Sequence, residues 1–294
     1  MIKLTDKRNG NRTKGIAHCD LCGELLDLKH DDYVIFYPNT RGTEAYICVH
    51  CMEVKSYFAK NDIIRWGTDN LNGFTYGFEF EIIPASLASH ALLISRDFRM
   101  IATDDGSLPI GGIEFKTPVY DSLHGVKQIF RTVADNQITN YETDRCCGTH
   151  IHIGHVDRYT PFARNIIKNN IVQLVKPLGE YLRAHKEECI NVFGRYFTYY
   201  ANFKDDTTYN DHESWINLEN NTNVEFRLCK MVTPEQYFFC VCMIKDMFTT
   251  MLDFAEDKTT LEKSQKKLIK IFQKYANGKA NCQRPERNTN KGRK

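Results

Sequence analysis

Polar and apolar residues alternate along several short stretches of this chain, the period-2 pattern of a β-strand with one face buried. In YGFEFEII (76–83), Phe78, Phe80 and Ile82 fall on one face and Glu79 and Glu81 on the other. CGTHIHIG (147–154) sets Ile151 and Ile153 against His150 and His152. GGIEFKTP (111–118) sets Ile113 and Phe115 against Glu114 and Lys116, and NVEFRL (223–228) sets Val224, Phe226 and Leu228 against Glu225 and Arg227. The pattern predicts strands over 76–83, 112–116, 148–154, 196–203 and 223–228.

Elsewhere the period lengthens to that of a helix. Thr160 and Pro161 open a run with Phe162, Ile166, Ile167, Leu174, Leu178 and Leu182 on helical spacing, and Pro177 is expected to kink or split it. Thr233 and Pro234 repeat that opening, Asp121 or Ser122 is expected to cap a helix before Asn136, and a last helix is expected over roughly 258–277. Strand runs outnumber helices and do not alternate strictly with them. The expected class is therefore α+β with an antiparallel sheet, not a doubly wound parallel one.

Size and charge narrow this only a little. A chain of 294 residues that is 42% apolar has room for one substantial core and an appendage. A net charge of +2 gives the whole molecule no strong pull toward nucleic acid or membrane. The end, NCQRPERNTNKGRK (281–294), lacks apolar periodicity and reads as a disordered basic tail. The first residues lack the apolar core of a signal peptide, and the run YFFCVCMI (237–244) is too short to span a bilayer, so a cytoplasmic protein without membrane attachment is expected.

Eleven cysteines are many for a reducing compartment unless some hold metal. Cys19, Cys22, Cys48 and Cys51 form two Cys-x-x-Cys knuckles with residues 23–47 between them. Two such knuckles make a closed tetrahedral thiolate site for a structural Zn²⁺, which stabilises a small module but has no open position for chemistry. Cys146 and Cys147 precede the histidine strand, but no activating neighbour is visible, so they read as ordinary thiols.

The mundane explanation of the polar strand faces is contact with water. Exposed strand faces favour threonine and mixed polar groups, whereas these positions hold glutamate and histidine almost throughout. Carboxylates two apart on a strand repel unless a cation lies between them. Mg²⁺ or Mn²⁺ would serve, bridging carboxylates to phosphate, and the rigid fork of Arg227 suits a phosphoryl group. Phosphate-loop, dinucleotide and serine-hydrolase signatures are missing from the sequence.

GFEFE, DDGSL followed by GGIEFKTP, CGTHIHIG and WINLENNTNVEFRL, in that order over about residues 74–250, resemble the amidoligases of phages and bacteria. These are carboxylate–amine ligases of the glutamine synthetase and glutamate–cysteine ligase superfamily. The resemblance implies a curved antiparallel sheet with packed helices, holding ATP and divalent ions, that joins a small-molecule or peptide carboxylate to an amine. It implies Glu79, Glu81, Glu114, His150 and Glu225 as ligands of Mg²⁺ or Mn²⁺ and of the nucleotide, and Arg227 as the phosphate contact. His152 would lie near substrate or nucleotide, Asp105 and Ser107 in a substrate-contacting loop, and Arg195 would match a further arginine of the site.

The expected organisation is a zinc-ribbon-like module over 1–70, a glutamine synthetase-like catalytic domain over 71–255, and a C-terminal helix and tail over 256–294. Rival readings are a zinc-containing nucleic-acid-binding protein acting through the cysteine module and tail, a metal-dependent hydrolase or nuclease, and an inactive ligase-like binding protein.

Overall fold

The computed structural model describes residues 73–85, 89, 92–93, 100–103, 108, 112–121, 123, 126–136, 147–198, 201–203, 213–230 and 233–278, with short stretches before them at 3–4, 16–19, 25–27, 33–36, 45–48 and 63–64. The class is α+β. In the first part, β1 (Lys3–Leu4), β4 (Tyr33–Phe36) and β5 (Ala45–Cys48) form one small antiparallel sheet, and β2 (Ile16–His18) pairs with β3 (Leu25–Asp27). Cys19 is buried just after β2, and Cys48 ends β5. Cys22 and Cys51 lie outside the described residues, so the four-thiolate site rests on the sequence.

The main sheet is built around β7 (Phe74–Ile82). On one side runs β11 (Thr149–His155), then β13 (Val224–Phe226) and β12 (Ile216–Asn217), all antiparallel. The other side is shared: β9 (Ile113–Lys116) pairs with Glu79–Ile82, and β10 (Val119–Tyr120) pairs at Tyr76. Outside these lie β8 (Ile101–Thr103), against β9, and β6 (Ile63–Ile64), which runs parallel to β10. The sheet is thus antiparallel except at that one edge.

Alternation decides which face is buried. Phe74, Tyr76, Phe78, Phe80 and Ile82 all point to the back of β7, where α1 (Val126–Asn136) and α4 (Pro234–Ala255) cover them. The Phe78 and Phe130 rings meet edge to face with centroids 4.9 Å apart, and Phe130 meets Tyr237 at 4.5 Å. Each such fully buried ring contributes about 1.5–3 kcal/mol through removal from water. Behind them α2 (Pro161–Ala184), α3 (Lys186–Phe193) and α5 (Leu261–Ala276) complete the helical layer against α4.

The Thr-Pro openings behave as read. The hydroxyl of Thr160 accepts from the Ala163 N–H, and that of Thr233 from the Gln236 N–H, satisfying one orphan donor in each first turn. Thr260 caps α5 in the same way. Helix α2 runs through Pro177 without a split and ends at Ala184, before the C-cap His185. Two expectations differ. Helix α1 starts at Val126, later than a cap at Asp121 or Ser122 would place it.

The described residues of 196–203, expected as a strand, give only isolated bridges, Thr198 with Ala201 and Asn202 with Ser214. Two of their rings serve packing: Phe197 and Phe203 both meet Trp215, with centroids 5.8 and 6.4 Å away. Among the described residues no helix is long and apolar enough to cross a membrane.

Candidate metal and phosphate site

Register brings the polar fronts of five strands together. His150 pairs across with Glu79, His152 with both Gly77 and Glu225, Glu81 with Glu114, and Glu114 with Thr103. Because facing residues share a side of the sheet, Glu79, Glu81, Glu114, His150, His152 and Glu225 converge on one surface. Glu81, Glu114, His150, Glu225 and Arg227 are all buried, Arg227 the most exposed of them at 8%. That burial excludes the mundane explanation, since solvated strand faces do not sink charges.

The contacts are close. His150 Nδ1 lies 2.9 Å from Glu79 Oε2 and 3.3 Å from Glu225 Oε1, while its Nε2 lies 3.4 Å from Glu81 Oε1. Lys116 Nζ bridges Glu79 Oε1 at 3.0 Å and Glu114 Oε2 at 2.9 Å. Arg227 Nη1 donates to Glu225 Oε1 at 2.6 Å, and Asn217 Nδ2 donates to Glu225 Oε2 at 2.8 Å. Thr103 Oγ1 donates to Glu114 Oε2 at 2.7 Å.

Arg195 enters from the loop after α3, where Gly194 takes a left-handed conformation at φ 79° and turns the chain back. Its Nη2 donates to the Arg227 carbonyl, and the backbone N–H of Gly148 donates to Glu81 Oε2. A Cβ on Gly148 would sit 2.7 Å from Arg195 Nη2 and 3.0 Å from Glu81 Oε2, so only glycine lets both side chains cross the backbone there. The structure therefore brings Arg195 into the group. Asp105 and Ser107 lie outside the described residues.

Electrostatics show a site with an excess of acid. Burial works against ionising Glu79, yet the hydrogen bond from His150 and the nearby His152 ring hold its carboxyl far below the usual carboxylate range. Glu114 goes the other way: burial and the nearby Glu79 charge raise it despite Lys116. For Glu225, burial is outweighed by His150, His152 and Arg227, and the carboxyl is lowered. Arg195 is lowered, chiefly by burial. Burial also opposes charge on His152, but Glu79 and Glu225 outweigh it and raise its pKa. A divalent cation among the same carboxylates reverses that preference.

Two trios have ligand atoms within 4.8 Å of one another: Glu79, His152 and Glu225, and Glu79, Glu114 and His150. His152 supplies the test of fit. Its Nδ1 lies 3.0 Å from Asn223 Oδ1, and Asn223 Nδ2 faces Thr222 Oγ1, an arrangement that puts the imidazole proton on Nδ1. In the neutral ring the buried Nε2 then carries a lone pair, 3.4 Å from Glu79 Oε1 and with no closer hydrogen-bond partner. A lone pair turned toward two carboxylates is the arrangement of a metal-binding histidine whose other nitrogen is fixed by a second contact. Oxygen-rich trios with one imidazole suit Mg²⁺ or Mn²⁺.

Thr103, Asn217 and Asn223 join this site without having been singled out in the sequence. Asn217 sits in a two-residue strand and Thr103 in a three-residue one, too short for alternation to mark. Cys147 is buried, and the Cys189 thiol, which faces the Arg195 carbonyl, is pushed up by burial to about 12, so Cys189 offers no thiolate nucleophile. Compared with protein-family models and with curated proteins, the chain matches none.

Proposed function

We propose that the chain is an ATP-dependent carboxylate–amine ligase, joining a small-molecule or peptide carboxylate to an amine through an acyl phosphate. What carries this reading is the convergence of Glu79, Glu81, Glu114, His150, His152, Glu225, Arg195 and Arg227 on one buried sheet face, with the His152 Nε2 lone pair unsatisfied among carboxylates. The two trios would hold Mg²⁺ or Mn²⁺, sharing Glu79. Bound there, such ions neutralise charge on phosphate oxygens.

The chain's own groups do the rest. Glu225 holds the Arg227 guanidinium at the site and Asn217 holds Glu225 in turn, and a guanidinium fixed there suits a transferring phosphoryl group. Arg195 braces Arg227 from behind through its carbonyl. Asn223 holds the His152 ring in one orientation and one tautomer. The apolar back of the sheet keeps the strands in register, so the donors do not reorganise when the reaction begins.

The test is thermal stabilisation by a non-hydrolysable ATP analogue with and without Mg²⁺, followed by ATP turnover in variants. Stabilisation is expected only with the metal. Arg227→Ala is expected to lower turnover by about 10²–10³, and Glu79→Gln is expected to abolish it with the fold retained. Variants that remain folded and turn over ATP at the unaltered rate contradict the reading. A structural Zn²⁺ on Cys19, Cys22, Cys48 and Cys51 is part of the same proposal and has no role in the chemistry.

A further inference from the structure

Lys116 touches two carboxylates of a metal trio without belonging to the trio. Its ammonium lies 3.0 Å from Glu79 Oε1 and 2.9 Å from Glu114 Oε2. Register explains the placement, since Lys116 faces Glu79 across the β7–β9 ladder and follows Glu114 by two on the same face. Yet its side chain is 40% exposed, whereas those of Glu79 and Glu114 are 16% and 8% exposed. The charge therefore sits at the rim of the site on a long flexible stem with open solvent beside it.

An ammonium and a divalent cation have the same claim on those oxygens. A metal bonded to Glu79 and Glu114 would lie closer to the carboxylates than Lys116 does and would repel the ammonium at short range. A buried catalytic arginine could not leave; a rim lysine can. Resting on the metal-site reading above, we propose that Lys116 is an exchangeable counter-ion. It neutralises Glu79 and Glu114 in the metal-free protein, swings out when Mg²⁺ or Mn²⁺ binds Glu79, Glu114 and His150, and then faces the anionic group held on that ion. This makes it a positioning residue that couples metal loading to capture of a polyanionic ligand.

Two measurements test this, both with Mn²⁺ alone as the probe. In the unaltered protein, amine acylation followed by mass spectrometry is expected to modify Lys116 slowly without metal and severalfold faster with saturating Mn²⁺. In Lys116→Met, Mn²⁺ measured by electron paramagnetic resonance is expected to bind about tenfold more tightly, since its competitor is gone. The variant is also expected to melt lower than the unaltered protein in chelator, and the gap to close with Mn²⁺. If Lys116→Met does not fold, the acylation arm decides alone. Bound Mn²⁺ with unchanged Lys116 reactivity, or with equal or weaker affinity in the variant, overturns the counter-ion role and leaves the metal site standing. Failure of the unaltered protein to bind Mn²⁺ overturns the metal reading itself.

Discussion

Gly179 lies in the middle of α2, where helix propensity alone favours alanine by about 1 kcal/mol. The structure reverses that sign. A Cβ at Gly179 would sit 2.1, 2.4 and 2.5 Å from three carbons of the Phe203 ring, far inside contact distance. The ring has little room to retreat: Trp215 and Phe197 lie 6.4 and 5.9 Å from its centroid, and the Arg183 guanidinium stacks over it at 4.5 Å. Forcing an extra carbon into such a core costs about 1–3 kcal/mol, and contact with three ring atoms argues for the upper end. After the propensity gain, Gly179→Ala is expected to destabilise by about 2 kcal/mol. That corresponds to roughly 3 °C in Tm for a chain of 294 residues.

The displacement should reach the site as well. Trp215 accepts through its carbonyl from the Arg227 N–H at 2.8 Å and leads directly into β12, where Asn217 holds Glu225. Differential scanning calorimetry and Mn²⁺ affinity measured on the same sample check both effects. A Tm equal to or above that of the unaltered protein would refute the packing argument.

Gly148→Ala adds a methyl against Arg195 and Glu81 while removing no functional group. Losing the Arg195 contact with the Arg227 carbonyl is expected to cost about 1.5–3 kcal/mol in urea unfolding and to weaken nucleotide binding, whereas unchanged binding would remove Arg195 from the site. Arg158 grips Glu256 at 2.8 and 2.9 Å and Asp253 at 2.8 Å, and chiefly its hydrogen bonds lower the Glu256 carboxyl from 4.5 to about 2. A lowered carboxyl contributes stability above its unfolded pKa and loses it as pH falls toward the folded value. The Tm gap between the unaltered protein and Arg158→Ala should therefore shrink from pH 4.5 to pH 2. The pair is partly exposed, so the Glu256 contribution is about 1 kcal/mol or less. Strong chelation is expected to release one Zn²⁺ per chain and lower thermal stability, and full retention of stability with no metal released would remove the thiolate site.

The candidate site was legible because strands keep a strict period: a glutamate two positions from a glutamate must share its face, whatever the tertiary structure. That period pairs Glu79 with Glu81 and Glu225 with Arg227 and puts Glu114 and His150 on polar fronts, the resemblance joins them into one site, and the register sets the strands opposite one another. Helix starts were legible where Thr-Pro supplied both cap and first residue. Other features depended on distant partners. The 196–203 stretch has strand-like aromatic composition, but Phe197 and Phe203 pack on Trp215 and Gly179. The parallel β6–β10 pair joins residues far apart in sequence, and nothing local in Ile63–Ile64 announces it. Proline at 177 is tolerated within α2, whose break comes at His185. Lys116 was visible as a neighbour of Glu114 on the strand, but its bridge to Glu79 required the β7–β9 register.

The most direct test is titration of the metal-free protein with Mn²⁺, followed by electron paramagnetic resonance, with and without a non-hydrolysable ATP analogue. Mn²⁺ is expected to bind the unaltered protein, to bind more tightly with the nucleotide present, and to be lost from folded Glu79→Gln and His152→Ala. Absence of bound Mn²⁺ at millimolar concentration, or equal binding in those variants, would contradict a shared cation site on this sheet face.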